Sequence, residues 1–252
     1  MSVTRVFLNG CNGRMGSVIT GICSKSEDIT ITAGCDINGL THTYPVYTNP
    51  ADCKEEFDVI IDFSNVKALP SVISLSEKSG KPLVMCTTGL GEDEKSRLFA
   101  LSEKTAVFYS GNMSLGINIL ISLVKKAALV LYPDFDIEIV EAHHNQKLDA
   151  PSGTALMIAD AVNDALDHKL EYVYDRHTDM KKREKKELGI HSIRGGTIVG
   201  EHSVIFAGPE EVITVSHSAE SRNVFAQGAV AAARFINGKQ AGLYNMQDLI
   251  GQ

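Results

Sequence analysis

Basic residues are not in excess in this sequence. Its 252 residues include 24 lysines and arginines against 31 aspartates and glutamates, which gives a formal net charge of -7 at pH 7. A protein that holds nucleic acid over a broad surface neutralises the phosphates with a basic face. The acidic balance therefore argues against nucleic acid as a partner, while leaving room for a local site that binds a small anion.

Long apolar runs are also missing. No stretch approaches the roughly 20 consecutive apolar residues that would span a bilayer. The segment from Met1 to Arg5 leads directly into a short apolar strand and lacks the basic-then-apolar order of a secretory leader. We therefore expect no membrane partner and a cytoplasmic location.

Cysteines are few and are not arranged in pairs. The sequence has five, all within the first 90 residues: Cys11, Cys23, Cys35, Cys53 and Cys86. Their number is odd and none forms a CxxC motif, so neither a disulfide framework nor a zinc knuckle is indicated. A reducing compartment fits this pattern best.

The residues that are present are those of an ordinary globular protein, 44% hydrophobic and 22% charged. Over the first 110 residues, short apolar runs alternate with helical patterns, which is typical of a parallel sheet flanked by helices. Strands are predicted at 6–8, 29–33, 59–61, 83–85 and 106–109, and helices at 14–25, 66–78 and 92–104. We predict an α/β fold in which this part forms a Rossmann-type, doubly wound nucleotide domain.

The pattern changes after Asn112, where a second lobe is expected. Helices are predicted at 116–131 and 154–166, strands at 136–142, 199–206 and 212–216, and a last amphipathic helix at 224–237. The charged run MKKREKKE at 180–187 favours a solvated helix or loop. This lobe should be an α+β domain with a mixed sheet.

Glycines at three-residue spacing follow the first predicted strand. Such spacing lets the backbone turn sharply and approach a pyrophosphate at the start of a helix. The pattern is GxxGxxG rather than GxGxxG, and a plain strand-to-helix turn is the alternative. The strand before it and the helix after it favour a dinucleotide site made by Gly10, Cys11, Asn12, Gly13, Arg14, Met15 and Gly16.

An acidic residue supports the same interpretation. Asp36 lies 20 residues beyond Gly16, at the end of the second strand, where a carboxylate would accept hydrogen bonds from ribose hydroxyls. Arg14 is a candidate partner for a 2′-phosphate or simply a surface charge, whereas Asp36 would repel that phosphate and Ile37 offers no second cation. The cofactor is expected to be NADH or NADPH, with NADH used at least as well.

A short polar segment follows the fourth strand at the carboxyl edge, where open parallel sheets bind ligands. The backbone of Cys86, Thr87, Thr88 and Gly89 is a candidate contact for the nicotinamide end of the cofactor. The alternative is a turn with hydroxyl caps, and the sequence does not decide between the two.

The densest chemistry in the sequence lies at EAHHNQKLDAPSGT, residues 141–154. Two imidazoles and an ammonium occur within five residues, and Pro151 at a first helical turn would leave the amides of Ser152, Gly153 and Thr154 free to bind an anion. Zinc is a rival for His143 and His144, but adjacent residues of a strand point to opposite faces and this lobe has no cysteine. No GxSxG elbow occurs, so serine hydrolysis is not supported. The segment suits a substrate that carries carboxylates.

Six segments together resemble the 4-hydroxy-tetrahydrodipicolinate reductase family, formerly called dihydrodipicolinate reductase. They are GCNGRMG, CTTG, SGNMSLGIN at 110–118, EAHHNQKLDAPSGTA, IRGGTIVGEH at 193–202 and SHSAESRNVFAQGA at 216–229. The likeness spans nearly the full length in the same order. Two local departures are Ile37, where many members carry a basic residue, and Met113, in place of a common aromatic beside the nicotinamide.

The resemblance implies an oxidoreductase that reduces hydroxy-tetrahydrodipicolinate to tetrahydrodipicolinate, with loss of water, in diaminopimelate and lysine biosynthesis. It implies His143 as proton donor, Lys147 as its assistant, and His144, Ser152, Gly153 and Thr154 as ligands of the substrate carboxylates. Ser110, Asn112 and Met113 would join the cofactor site. A nucleotide domain of residues 1–113 and 222–252, a substrate and tetramerisation domain of residues 114–221, and a homotetramer are expected.

Three questions stay open at this level. Arg222 either ties a hinge, binds substrate or forms a structural salt bridge. A dehydrogenase for another small carboxylic acid, such as an aspartate-type enzyme, would share the same class and should reduce oxaloacetate with ammonia. A sensor that binds the cofactor without turnover is harder to reconcile with His143 and Lys147 together.

Overall fold

The computed structural model describes residues 3–39, 42–178 and 180–251. The chain divides into two compact units. The first runs up to Leu115 and resumes at Asn223, and the second is Gly116–Arg222. The helices and strands follow the chain in this order: β1 Thr4–Asn9, α1 Arg14–Cys23, β2 Ile29–Cys35, β3 Val46–Tyr47, β4 Val59–Asp62, α2 Leu69–Ser79, β5 Leu83–Met85, α3 Glu92–Ser102, β6 Ala106–Tyr109, α4 Leu115–Leu131, β7 Asp136–His143, α5 Gly153–Ala165, β8 Glu171–Val173, β9 Glu187–Arg194, β10 Gly200–Ala207, β11 Val212–Ala219, α6 Asn223–Ile236, β12 Gly242–Tyr244 and α7 Met246–Ile250.

The first unit is built on a seven-stranded sheet. Its strand order is β12-β6-β5-β4-β1-β2-β3, and the paired strands are parallel. The order reverses beside β1, because the chain moves outward to β2 and β3 and then returns to β4 on the other side. Ligands bind at such a switch point, outside the carboxyl ends of the strands.

Both faces of this sheet are buried, which explains why its strands are apolar throughout. Side chains alternate between faces along a strand. Val6 and Leu8 pack in one core with α1 and α6, whereas Phe7 packs in the other core with α2 and α3. The helix α6, which follows the second unit in sequence, thus completes the unit that the N-terminal residues begin.

The second unit has a five-stranded sheet of order β11-β10-β7-β9-β8. β7 pairs with β9 in parallel and with β10 antiparallel, so the sheet is mixed. One core lies between this sheet and the helices α4 and α5, with Val124, Ile139 and Ile158 fully buried in it. The predicted α/β class, with a doubly wound parallel sheet and a second mixed sheet, is confirmed.

Apart from β9, the long elements occur where the periodicity predicted them, and four strands of the described residues were missed. β3, β8 and β12 have two or three residues each, too few to show a period. β9 contains Gly189 and polar residues, which obscures its alternation.

The interpretation of 180–187 as a solvated run is wrong for two of its residues. Arg183 donates hydrogen bonds to Glu138 and Asp136, and Glu187 is only 3% exposed. Among the described residues, no helix combines the length and the apolar character needed to cross a membrane.

Candidate active site

The glycine turn lies between β1 and α1 and is shaped by close backbone contacts. Gly10 has a φ of +81°, a left-handed conformation that favours glycine. A Cβ on Gly10 would overlap the carbonyl oxygen of Phe63, and a Cβ on Gly16 would overlap that of Gly10. Glycine is therefore required here, and the turn brings bare backbone to the start of α1.

The start of α1 has the features of an anion site. Gly13 is the N-cap and, within the described part of the chain, no side chain caps the helix and no acidic residue lies in its first turn. The amides at a helix start carry partial positive charge. The predicted position of Gly13, Arg14 and Met15 at this start is thus observed, and its geometry suits a pyrophosphate.

Asp36 follows β2 and is linked to the glycine turn by hydrogen bonds. Its carboxylate accepts from the backbone N–H of Asn12 at 3.1 Å and from that of Asn38 at 3.1 Å. His42 meets the side-chain oxygen of Asn12 at 2.7 Å. Asp36, Asn12 and Cys11 are therefore together at one edge of the sheet, as their sequence positions predicted.

A buried carboxylate at the end of β4 escaped the sequence reasoning. Asp62 has no exposed surface and accepts from the Asn9 amide at 2.6 Å, the Thr87 hydroxyl at 2.6 Å and the Ser64 hydroxyl. Burial raises its pKa, and the three donors oppose that shift. Asp62 joins the carboxyl ends of β1, β4 and β5, so it organises the edge at which the glycine turn lies.

The segment after β5 uses one hydroxyl internally. Thr87 donates to Asp62 and accepts from the backbone N–H of Ser64 at 3.0 Å, while Thr88 and Gly89 are exposed. Cys86 is buried, and burial raises its pKa well above the ordinary value, so it is not a reactive thiol. The outer backbone of Thr88 and Gly89 is what this segment can offer to a ligand.

The loop after β6 lies at the same carboxyl edge of the sheet. Ser110 donates to the carbonyl of Asn112 at 3.1 Å, and the Asn112 side chain accepts from the amide of Ser114 at 2.8 Å. Met113 is 5% exposed and packs in the core that α1 and α6 share. A cofactor contact by Met113 would therefore be made by its backbone more readily than by its side chain.

In the second unit, His143 ends β7 and lies in a buried polar network. Its Nδ1 is 2.6 Å from Oε2 of Glu141, which has no exposed surface. Arg194 on β9 donates to both oxygens of Glu141, at 2.9 and 2.7 Å. Glu141 and Arg194 were not predicted as site residues, although residues two apart on a strand share a face, and that spacing pointed to Glu141.

A second histidine packs edge-on against His143. The ring centroids of His143 and His202 are 5.3 Å apart, and Nε2 of His202 meets the Ser152 hydroxyl at 3.2 Å. Burial, together with a smaller effect of the neighbouring His143, lowers the pKa of His202 to about 4. His202 is thus neutral near pH 7 and adds no charge beside His143.

Lys147 lies in the loop that follows β7, and its ammonium already forms an ion pair with a carboxylate. Lys147 Nζ is 2.9 Å from Asp149 Oδ1, and the amide of Gly153 donates to the same carboxylate. The Lys147 hydrogen bond lowers the pKa of Asp149. An ammonium and a helix-start amide thus converge on one carboxylate, which is the arrangement the sequence predicted for a bound acid.

The expectation that the amide of Ser152 is free is wrong. Ser152 is the N-cap of α5, so Pro151 precedes the cap rather than occupying the first turn. Its N–H donates to Glu141 at 3.1 Å, and its hydroxyl accepts from the amide of Ala155. Because both groups are already bonded, Ser152 acts in this structure as a joint between α5 and Glu141.

His144 turns away from the network around His143 and is half-buried. Its Nε2 accepts from the guanidinium of the exposed Arg222 at a distance of 3.5 Å. This contact joins Arg222 to a histidine rather than to a carboxylate, and it leaves the guanidinium able to bind a substrate. Within the residues the structure describes, no group of three or more His, Cys, Asp or Glu side chains is placed to hold a metal ion.

Family models match both parts of the chain. The model described as the N-terminus of dihydrodipicolinate reductase matches residues 4–113, and the model described as its C-terminus matches residues 116–250. A 4-hydroxy-tetrahydrodipicolinate reductase of Caldanaerobacter subterraneus subsp. tengcongensis is 54% identical over 98% of this chain and 98% of its own. The reductase of Clostridium botulinum with the same name is 47% identical over the same shares.

A solved structure supports the fold over the whole length. The dipicolinate-bound dihydrodipicolinate reductase of Paenisporosarcina sp. TG-14 has a TM-score of 0.83 at 23% identity, covering 98% of this chain and 99% of that one. A myo-inositol dehydrogenase of Corynebacterium glutamicum is more distant, with a TM-score of 0.58 at 13% identity over 98% and 92% of the chains. Taken with the family models and the relative at 54% identity, these findings place the chain as a member of the dihydrodipicolinate reductase family.

Proposed function

We propose that this protein reduces 4-hydroxy-tetrahydrodipicolinate to tetrahydrodipicolinate and water with NADH or NADPH, in diaminopimelate and lysine biosynthesis. One observation carries the proposal. In a chain that is 54% identical to a reductase of that name, a buried histidine bonded to a carboxylate lies near a lysine that holds a second carboxylate at a helix start.

The first unit suits a nicotinamide dinucleotide. Gly10 and Gly16 let the turn pack closely against backbone atoms that a Cβ would overlap, and α1 starts without a capping side chain in the described residues. Such a start binds phosphate groups. Gly10 to Gly16 would hold the pyrophosphate, Asp36 the ribose, and 86–89 with Ser110, Asn112 and Met113 the nicotinamide end. When bound, the reduced nicotinamide supplies the hydride.

His143 would supply the proton. Loss of the 4-hydroxyl group, with a proton from the adjacent carbon, as water converts the substrate into a conjugated imine. Hydride addition at C4 then leaves electron density on the adjacent ring carbon, and that carbon must be protonated. Since Nδ1 of His143 is engaged by Glu141, Nε2 is the ring nitrogen that can deliver a proton. An imidazole can serve as a general acid near neutral pH.

Lys147, Gly153 and Thr154, together with His144, would hold the substrate carboxylates. In this structure Asp149 takes the position of an acid between the Lys147 ammonium and the Gly153 amide. Hydrogen bonds from such charged partners compensate a carboxylate for the hydration that it loses on burial. We propose that the substrate displaces Asp149, while Ser152 contributes by orienting α5.

The test replaces His143 by glutamine. Turnover should fall by on the order of 10²- to 10⁴-fold, the usual share of general acid catalysis, with a smaller change in substrate KM. NAD(P)H oxidation is followed while the preceding synthase condenses aspartate semialdehyde and pyruvate in place. His191→Gln is the matched control, because His191 also pairs with a carboxylate, that of the half-buried Glu138 at 2.8 Å.

Two results would contradict the proposal. Unchanged turnover in His143→Gln would show that His143 is not the proton donor. NAD(P)H oxidation that persists when either precursor is omitted would show that the proposed substrate is wrong. Oxaloacetate with ammonia would then be tried for the aspartate-type alternative.

Cofactor choice forms a further part of the proposal. Asp36 would repel a 2′-phosphate, and Ile37 is 90% exposed without adding a cation. We expect kcat/KM with NADH to equal or exceed that with NADPH. Ile37→Arg should raise the NADPH value about tenfold through one charge-assisted contact, whereas Ile37→Gln, the uncharged control, should not. A strong NADPH preference in the unaltered protein would reject this reasoning.

Assembly and location complete the proposal. We propose a homotetramer in the cytoplasm, with residues 1–113 and 222–252 binding nucleotide and residues 114–221 binding substrate and forming the subunit contacts. Sedimentation at micromolar concentration tests the tetramer, and a single species with the 27.3 kDa mass of one chain would exclude it.

A further inference from the structure

Glu141 is a fully buried carboxylate that collects donors from three segments of the second unit. It accepts from His143 on its own strand, from both Nη atoms of Arg194 on β9, and from the amide of Ser152 before α5. The hydroxyl of Ser192 also donates to it. A buried carboxylate with this many donors is held in one orientation.

The strand register explains why these groups meet. β7 and β9 are parallel, with Glu141 opposite Ser192 and His143 opposite Arg194. The Arg194 side chain therefore reaches back to Glu141 beside the ring of His143. Arg194 also donates to the carbonyl of Asp149, so it ties the loop that carries Lys147 to the same carboxylate.

This arrangement assigns different tasks to the two nitrogens of His143. Nδ1 is bound to Glu141, and Nε2 faces Gly200, where an added Cβ would come within 3.1 Å of it. A ring held by one nitrogen presents the other in a fixed direction. The orientation of Nε2, the proposed donor nitrogen, thus depends on Glu141.

The charges also favour a defined role. Despite burial, the hydrogen bonds from Arg194, Ser192 and His143 lower the pKa of Glu141 to about 2, so Glu141 is an anion throughout the working range. This anion lies 2.6 Å from Nδ1 of His143, and the Arg194 guanidinium binds the same carboxylate. Other charged or titratable groups of this network, within the described residues, are His202 on β10, which packs against the ring, His217 on β11 and Lys147, which act on His202, and Asp149, which pairs with Lys147.

We propose that Glu141 and Arg194 form a positioning pair that orients His143 and sets the pH range over which it donates its proton. The pair does not touch the reacting atoms. This inference rests on the proposed function, in which His143 is the proton donor.

The test uses two substitutions with opposite expected effects on the pH profile of kcat. Glu141→Gln removes the anion and leaves Arg194 unbalanced, so the alkaline limb should move down by about one pH unit or more. Arg194→Gln leaves the anion to His143 alone, so that limb should move up by about one unit. Arg194→Lys keeps the charge and should stay close to the unaltered protein.

Kinetic constants separate this role from substrate binding. In Glu141→Gln, kcat at pH 7 should fall on the order of tenfold, while substrate KM stays within about threefold because Lys147 and Gly153 are untouched. The matched control is Glu138→Gln on the same strand, since Glu138 is likewise paired with a histidine and arginines, His191, Arg176 and Arg183. Its melting temperature should fall, but its pH profile should not move.

The outcomes distinguish this inference from the proposed function. In the first case the unaltered protein turns over. The positioning pair is then rejected if the alkaline limbs of Glu141→Gln and Arg194→Gln move in the same direction, or if neither limb moves. If the unaltered protein shows no turnover, the proposed function fails, and nitrogen NMR of labelled histidines decides the inference. For the neutral ring of His143, a proton on Nδ1, with loss of that tautomer in Glu141→Gln, then supports the pair, and a neutral ring with its proton on Nε2 overturns it.

Discussion

Gly200 on β10 provides a sharp test of the geometry around His143. The substitution is Gly200→Ala, and its added Cβ would lie 3.1 Å from Nε2 and 3.5 Å from Cδ2 of the His143 ring. The contact with Nε2 is closer than an ordinary van der Waals contact by a few tenths of an ångström, whereas the contact with Cδ2 is ordinary. The ring cannot retreat directly, because its Nδ1 is already 2.6 Å from Glu141.

The expected effects on rate and stability have different sizes. Misplacing a reacting group by about 1 Å costs on the order of 10²-fold in rate, so a smaller shift together with a methyl group beside Nε2 should lower kcat by roughly 10- to 100-fold. The free energy of unfolding should fall by no more than about 2.5 kcal/mol. Crowding costs about 1 to 3 kcal/mol, and replacing glycine in a strand by alanine returns about 0.5 to 1 kcal/mol.

The assay is reductase turnover with the substrate formed in place, alongside urea unfolding. Gly195→Ala is the control, because no atom lies within 4 Å of its Cβ position and its φ is not in the left-handed range. Turnover in Gly200→Ala equal to that of the control would refute the orientation of His143 described here. Loss of folding in Gly200→Ala would refute the claim that the methyl group acts on the ring alone.

Three further results are expected from the same structure. Gly16→Ala should destabilise the fold by about 1 to 3 kcal/mol and abolish NADH binding in a fluorescence titration, whereas Gly21→Ala on the same helix, with open space at its Cβ, should stabilise it slightly. Asp62→Asn should cost about 2 to 3 kcal/mol in urea unfolding, against less than about 1 kcal/mol for the exposed Asp28→Asn, and equal costs would contradict the role given to Asp62. The pKa of His202 falls from 6.5 to about 4 on folding. As the pH falls through this interval the unfolded chain binds the proton first, so the free energy of unfolding decreases. His202→Gln should remove roughly 2 to 3 kcal/mol of that pH dependence, and an unchanged slope would show that His202 does not carry it.

Much of the fold could be predicted from local pattern. The glycine turn, Asp36 and the apolar strands of the first unit are encoded within short windows, because period and turn chemistry act between near neighbours. The segment 141–154 brought His143, Lys147 and Gly153 together for the same reason, since its length allows few other arrangements.

Other features depended on partners far away in sequence. Asp62 meets Asn9 across 53 residues, and Glu141 meets Arg194 across 53 residues. No local pattern marks such pairs, because they exist only once the strand order and register are set.

The amide of Ser152 illustrates the same division. Its position before a helix was evident from the sequence, but whether its N–H was free depended on Glu141 lying beneath it. The sequence by itself thus determined which chemical groups the site contains and which local turns present them. Only the tertiary structure decided which of those groups are already bonded to the protein, because hydrogen-bond capacity is divided among neighbours that long-range strand pairing brings together.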